Sequence, residues 1–174
     1  MNREQAYEEY IEGMIEAEEV LEEADKVLKN GEAILDGYWD NCKTMIRNAY
    51  EGNYEDEDFL CTIWGVSVGR LEHKEVSVIV DRNDKLFISK GTSSFVDYED
   101  EDMTGMKIPF KCWIHTHPSG TAYFSSTDWN TINAQLPILD SAIVLGDMER
   151  MKWWKSEETH YLSKTNLIPL DSEE

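Results

Sequence analysis

The stretch 113-WIHTHPSGTAYFSSTDW-129 constrains the fold more strongly than any other part of the chain. Side chains alternate between the two faces of a β-strand, so a strand here places His115 and His117 on the same face. Pro118 cannot donate a hydrogen bond to a neighbouring strand and ends this one, and the run of serine and threonine before Asp128 is typical of a helix start. The stretch therefore predicts a strand, a loop and a helix that brings Asp128 back towards the two histidines.

Two histidines and a carboxylate are a common ligand set of catalytic zinc sites, which keep a fourth position open for water. His115, His117 and Asp128 are therefore the predicted ligands of one Zn²⁺ ion. A zinc ion in such a site lowers the pKa of its water to near neutrality and polarises a carbonyl. Paired histidines also occur on strands that bind no metal, and the spacing alone leaves that interpretation open.

A longer pattern surrounds the predicted ligands: HTHP, six further residues and then SxxD. This string resembles the signature of the JAMM (MPN+) metalloproteases at five positions, which are His115, His117, Pro118, Ser125 and Asp128. The segment is also similar to that of the AMSH-type deubiquitinases, which cut ubiquitin chains of one lysine linkage. Upstream, 65-GVSVGRL-71 resembles the first core strand of the family, so the resemblance covers roughly residues 60 to 163.

The resemblance implies an α+β fold of the JAMM/MPN, or cytidine-deaminase-like, type, in which helices flank a mixed β-sheet. It implies that His115, His117 and Asp128 bind zinc. It also implies a catalytic role for Ser125, whose hydroxyl helps to stabilise the oxyanion as water attacks an isopeptide carbonyl. Ser125 fits a helix cap as well, and the two roles are compatible. The implied substrate is a conjugate of ubiquitin or a ubiquitin-like protein.

One position departs from the family pattern. The family carries a glutamate three residues before the first glycine of that strand, where it holds the zinc water and shuttles its proton, and this chain has Thr62 there. A threonine cannot accept a proton at neutral pH, and loss of general acid–base help costs about 10²–10⁴-fold in rate. The departure predicts that Thr62→Glu raises turnover, unless Asp81 or Asp84 on the neighbouring strand reaches the water. Glu75 is expected at the opposite end of that hairpin, as a surface carboxylate.

Three functions are consistent with these residues. The first is a zinc-dependent isopeptidase or peptidase of JAMM type. The second is a catalytically impaired JAMM-fold binding or scaffold module that retains zinc, because Thr62 replaces the glutamate. The third is a zinc hydrolase of a small amide-bearing metabolite, which predicts a closed pocket in place of an open groove. Retention of Ser125 beside a complete ligand set favours a hydrolase over a scaffold.

The rest of the chain divides into an N-terminal helical part and a part rich in strands. Residues 1 to 30 are predicted as an acidic amphipathic helix that ends at Asn30-Gly31, and residues 31 to 174 as the zinc domain. A further helical pattern runs from Ile34 to Ala49. The β-branched and aromatic texture predicts strands in 62-TIWGVSVGRL-71, 75-EVSVIV-80, 85-KLFISK-90, 108-IPFKCWIHTH-117 and 141-SAIVLG-146, a helix in 126-STDWNTINAQL-136 and a hairpin in 151-MKWWKSEETHYLS-163.

The N-terminal helix has apolar residues at alternating steps of three and four, which are Tyr7, Tyr10, Met14, Ala17, Leu21, Ala24 and Leu28. A core-facing stripe beneath a solvated acidic face explains this pattern. A protein partner or a coiled coil bound through the stripe explains it too.

Composition limits the partners and the compartment. The chain has 36 acidic and 16 basic side chains and a formal net charge of −20, which repels nucleic acid and anionic membranes. No run approaches the ~18 apolar residues of a membrane span. The acidic start MNREQAYEEY lacks the regions of a signal peptide. Cys42, Cys61 and Cys112 show no CxxC spacing and are expected to be reduced and mostly buried, as in a cytoplasmic protein.

Overall fold

The computed structural model describes residues 2–91, 104–156 and 159–167. Within it the chain forms two compact units, Met1–Asn41 and Cys42–Glu174. All residues of the predicted zinc site belong to the second unit. In the described segments no helix has both the length and the hydropathy that a membrane span requires.

The N-terminal part is a single helix, α1, which spans Arg3–Ala49. The predicted break at Asn30-Gly31 is therefore wrong, and the two helical patterns belong to one element. Glycine inside a helix costs only about 1 kcal/mol relative to alanine, and asparagine costs less. The strong helix formers on both sides outweigh these two positions. Tyr7, Tyr10, Met14 and Leu21 of the predicted apolar stripe are exposed.

The second unit is built on a six-stranded mixed sheet in the order β2-β1-β3-β4-β5-β6. The strands are β1 (Val76–Val80), β2 (Leu86–Lys90), β3 (Cys112–Thr116), β4 (Ser141–Gly146), β5 (Glu149–Lys155) and β6 (His160–Asn166). All neighbours are antiparallel except β3 and β4, which are parallel. The sheet and its helices confirm the predicted α+β class, and the closing hairpin is confirmed as β5–β6.

Residues 62 to 70 are helical and Leu71 lies in a turn, so the strand predicted over residues 62 to 71 is wrong. Helix α2 spans Glu57–Gly65, and a π-helix continues over Val66–Arg70. The Asp56 side chain accepts the Phe59 N–H and caps α2, with two acidic residues in the first turn. Buried Phe59, Leu60, Ile63 and Val66 follow a helical spacing. This cap and spacing outweigh the β-branched composition.

The core lies on both faces of the central strands. β1, β3 and β4 are buried along their whole length, whereas β6 is largely exposed at the edge of the sheet. Cys42 and Cys112 are buried, Cys61 is half-buried, and all three are free thiols, as the sequence predicts. Trp113 and Phe124 are buried in the hydrophobic cluster that packs on the sheet. The polar residues His115 and Thr116 follow at the end of β3.

Candidate metal centre

The two histidines lie at the end of β3, in the middle of the sheet. His115 pairs with Ser77 of β1 on one side and with Val144 of β4 on the other. The backbone N–H of His117 donates to the Leu145 carbonyl at 2.8 Å, so the strand geometry continues to the second histidine. Because neighbouring strands hold β3 on both sides, the positions of the imidazoles are set by the sheet rather than by a loop.

Asp128 comes from the first turn of helix α3, which spans Ser126–Ala134. A capping box fixes this turn. The Ser125 hydroxyl accepts the Asp128 N–H at 3.1 Å, and Asp128 Oδ2 accepts the Ser125 N–H at 2.9 Å. The helix-cap role of Ser125 is thus confirmed, and the cap also orients the carboxylate.

The three predicted ligands converge. Asp128 Oδ2 lies 3.0 Å from His115 Nε2 and 3.1 Å from His117 Nε2. One ligand atom of each residue lies within 4.8 Å of those of the other two, which is compact enough for a single cation. His115 and Asp128 are buried and His117 is half-buried, so a cation here is open to solvent on the His117 side.

Aromatic side chains fix the orientation of both imidazoles. The Trp113 ring stacks on His115 with centroids 4.3 Å apart, and the Trp113 indole N–H donates to Ser77 Oγ at 2.7 Å. Tyr123 packs edge-on against His117, with ring centroids 4.9 Å apart. Stacking thus orients the His115 ring, while its Nε2 faces Asp128 Oδ2.

The electrostatics prepare the ligands for a metal. Burial lowers the pKa of His115, and the contact with Asp128 opposes this only in part. Burial would raise the pKa of Asp128, but its contacts with His115, His117 and the Ser125 N–H hold the pKa well below its usual range. A neutral imidazole and an ionised carboxylate are the forms that bind metal ions.

Glu75 is a further residue of this site. β1 runs antiparallel to β3 with Ser77 opposite His115, so the residue just before β1 lies level with the end of β3. Glu75 is only 6% exposed. Burial raises its pKa to about 7, while His117 lowers it and Asp128 raises it further. The expectation that Glu75 is a surface carboxylate at the far end of the hairpin is wrong, because residues 62 to 71 form no strand to pair with.

The residues proposed to replace the missing glutamate lie elsewhere. The Thr62 hydroxyl donates to the Asp58 carbonyl on α2. Asp81 follows β1 at its opposite end, where its carboxylate accepts the N–H groups of Asn83, Lys85 and Lys107 and organises the β1–β2 turn. Asp84 binds the Tyr50 hydroxyl and Lys111. Neither aspartate reaches the candidate metal centre, and the hypothesis that one of them replaces the glutamate is wrong.

A pocket of about 350 Å³ opens over the centre. It is lined by Glu75, His117, Asp128 and Ser125, together with Pro118, Ser119, Gly120, Tyr123 and Thr127. A second hollow of about 520 Å³ shares the wall Pro118–Gly120 and is lined on its other side by Trp64, Val68 and His73. Glu75, Ser125 and the two predicted metal ligands His117 and Asp128 therefore line the same pocket.

No protein-family model, curated protein or solved structure matches this chain. The likeness to JAMM proteases therefore rests on the motif residues. A sequence signal for Glu75 did exist, since Glu75 directly precedes VSVIV, a mostly apolar run typical of a buried strand. The assumed strand at residues 62 to 71 concealed that signal.

The donor set fits a cation on its own chemistry. Both ring nitrogens of His115 are buried without a hydrogen-bond partner in the part of the chain that the structure describes, although Nε2 contacts Asp128 Oδ2. A buried polar group without a partner typically costs about 1–3 kcal/mol. A cation between His115, His117 and Asp128 would give Nε2 the partner that it lacks.

Proposed function

We propose that this chain is a zinc-dependent isopeptidase or peptidase of JAMM type that acts on conjugates of ubiquitin or a ubiquitin-like protein. The observation that carries the proposal is a buried carboxyl group, Glu75, in the same pocket as His117, Ser125 and Asp128. In this pocket the pKa of Glu75 is raised and that of Asp128 is lowered. Such a pair is typical of an acid–base catalyst that stands beside a metal-binding carboxylate.

His115, His117 and Asp128 would hold the ion. Zinc fits two imidazoles and one carboxylate, and when bound it lowers the pKa of water and polarises a carbonyl. The low pKa of Asp128 keeps this ligand ionised over the whole physiological range.

Glu75 acts as the general base and then as the general acid. Its carboxylate takes a proton from the attacking water as the new C–O bond forms, and returns the proton to the leaving amine as the C–N bond breaks. A raised pKa of about 7 suits both steps, because such a group accepts and releases a proton with little bias near neutral pH. Glu75 thus supplies the function that the resemblance assigns to a glutamate at the position of Thr62.

Ser125 stabilises the oxyanion. Its oxygen accepts the Asp128 N–H, which leaves the hydroxyl proton free to be donated into the pocket. A donor aimed at the developing oxyanion contributes about 10²–10³-fold in kcat in other hydrolases. The helix cap therefore holds the serine in the orientation that the reaction needs.

A protein substrate is favoured over a small metabolite. The second hollow, of about 520 Å³, borders the same wall Pro118–Gly120 and offers room for residues that flank a scissile amide. A net charge of −20 favours encounter with a basic polypeptide segment. The scaffold alternative depended on the absence of a proton acceptor, and Glu75 supplies one.

The proposal is tested with zinc-loaded protein and isopeptide-linked ubiquitin dimers. We expect cleavage at the isopeptide bond, loss of cleavage with a chelator, and recovery when zinc is added back. His117→Ala should lose both zinc and cleavage, because two ligands hold the ion poorly. His160→Ala, a histidine of the exposed strand β6, is the matched control and should keep both. Zinc-loaded protein that cleaves neither dimers nor linear ubiquitin-tail amides would contradict the proposal.

A further inference from the structure

Two buried hydroxyl groups hold the backbone on both sides of Glu75. Ser67 Oγ lies 2.5 Å from the Lys74 carbonyl and 2.7 Å from Thr116 Oγ1. Thr116 Oγ1 in turn accepts the Val76 N–H at 2.9 Å. Both hydroxyls belong to fully buried residues. The residues before and after Glu75 are therefore tied to the same pair of side chains.

The two backbone groups at the ends of this network determine the direction of each hydrogen bond. The Lys74 carbonyl only accepts, so Ser67 gives it the one proton of its hydroxyl. The Val76 N–H only donates, so Thr116 accepts it. The remaining contact must then run from the Thr116 hydroxyl to Ser67 Oγ. Each donor of this hydrogen-bond network has an acceptor, and a fully satisfied buried network is rigid.

The π-helix explains how Ser67 reaches Lys74. Ser67 lies in the π-helix Val66–Arg70, an element that is rare and often found at functional sites. The Ser67 carbonyl accepts the N–H groups of His73 at 3.0 Å and Lys74 at 3.2 Å. On the other side, the Glu75 carbonyl accepts the Gly91 N–H at 3.0 Å. Ser67 thus binds the segment before Glu75 through both its backbone and its side chain.

Thr116 connects this network to the metal centre. It stands between His115 and His117 on β3, and alternation along the strand turns its side chain to the opposite face. The strand that presents the predicted ligands on one face therefore fixes Val76, next to Glu75, through the other. A shift of the backbone at Val76 away from β3 lengthens or breaks the Thr116 hydrogen bond.

We infer that Ser67 and Thr116 are positioning residues that fix the Glu75 carboxylate relative to the metal ligands. The inference rests on the proposed role of Glu75. Neither residue lines the pocket. A displacement of a reacting group by about 1 Å can lower a rate by about 10²-fold, so loss of either hydroxyl should act on turnover before it acts on binding.

The test uses Thr116→Val and Ser67→Ala in the full chain. Each variant should bind zinc as the wild type does, and lower kcat for the isopeptide-linked dimer by roughly 10–100-fold with KM unchanged. Thr116→Ser keeps the hydroxyl and should recover most of the lost kcat. Ser141→Ala is the matched control, because it deletes a buried hydroxyl that also lies 2.5 Å from a backbone carbonyl, that of Lys111, at the other end of the sheet. It should leave kcat unchanged.

Two readouts need no activity. Hydrogen exchange of the Val76 amide should be faster in Thr116→Val than in the wild type and in Ser141→Ala. Crystal structures of the zinc-loaded wild type and variants should show the Glu75 carboxylate displaced only where a hydroxyl of the network is lost. Unchanged Val76 exchange and an unmoved Glu75 would overturn the inference. An inactive zinc-loaded wild type would contradict the proposed function, while these two readouts would still decide the positioning role.

Discussion

Glu75 combines a strand-end position with a buried environment. Glu75 is only 6% exposed, and nearby His117 and Asp128 act on its pKa in opposite directions. Desolvation is the largest of these effects, which is why the pKa rises to about 7. In the metal-free protein, the cost of burying the ionised Glu75 can be measured as a change in the free energy of unfolding.

Glu75→Gln is expected to stabilise the metal-free protein above pH 7. The folded-state pKa of about 7 exceeds the ordinary value of 4.5, so ionisation of Glu75 opposes folding as pH rises through this window. Below pH 4.5 both states are protonated and the variant gains nothing. With allowance for solvent in the pocket, the gain above pH 7 is about 1–3 kcal/mol. Denaturant unfolding with a chelator at pH 4.5 and pH 8 measures it, and equal gains at both pH values would contradict the raised pKa.

Thr62→Glu is expected to leave turnover unchanged, in contrast to the gain that the sequence pattern predicts. The Thr62 hydroxyl is bonded to the Asp58 carbonyl on α2, and the side chain does not line the pocket. Steady-state cleavage of the isopeptide-linked dimer by the variant and the wild type makes the comparison. A large increase would show that the strand interpretation of residues 62 to 71 was right after all.

Among the elements, the sequence predicts the strand, loop and helix from Cys112 to Ala134 because its signals agree. Alternation, Pro118 and the Ser125 cap all point to one arrangement, and each is local. Residues 62 to 71 carry conflicting signals, since β-branched side chains favour a strand while the Asp56 cap and the spacing of Phe59 and Ile63 favour a helix. The position of Glu75 depends on strand register, which is a long-range property. Local patterns therefore predict the three ligands but not Glu75, the proposed base.

The loop between β3 and α3 depends on Gly146 at the end of β4. A Cβ atom added at Gly146 would overlap the backbone of Thr121 and Ala122. The same loop is held by the Ala122 N–H, which donates to Glu149 at 2.8 Å. This close approach needs glycine for space rather than for an unusual backbone angle.

Gly146→Ala is expected to destabilise the protein by about 1–3 kcal/mol and to weaken zinc binding, because the backbone of the loop has to move. The matched control is Gly69→Ala, where an added Cβ meets no atom within 4 Å. Thermal unfolding and zinc titration of both variants separate the effects. Equal stability of Gly146→Ala and the wild type would contradict the close packing of this loop.

In the molecule as a whole, the site and the exposed apolar stripe of α1 belong to separate compact units. The sequence predicts the α+β class and an acidic helix ahead of it, but it places the helix end at Asn30-Gly31. The helical pattern from Ile34 to Ala49 is predicted as well, but local propensity at Asn30-Gly31 could not show that it joins the first pattern in one helix.

Deletion of residues 1 to 30 is expected to leave zinc binding intact, since Glu75 and all three predicted ligands lie in Cys42–Glu174. The deletion also removes the exposed Tyr7, Tyr10, Met14 and Leu21. If the stripe binds a partner or a second copy, the oligomeric state or the set of bound partners should change with it. Zinc content and sizing of both proteins test this, and loss of zinc from the shortened chain would show that the site depends on the helix.

The central claim is that Glu75 moves the proton in a hydrolytic reaction at the centre of His115, His117 and Asp128. The most direct test is kcat for an isopeptide-linked ubiquitin dimer, measured for wild type and Glu75→Gln at equal zinc occupancy. Glu72→Gln, which alters an exposed carboxylate three residues away, is the matched control. We expect kcat to fall about 10²–10⁴-fold for Glu75→Gln alone, with one zinc per chain in all three proteins. A wild-type rate in zinc-loaded Glu75→Gln would contradict the central claim.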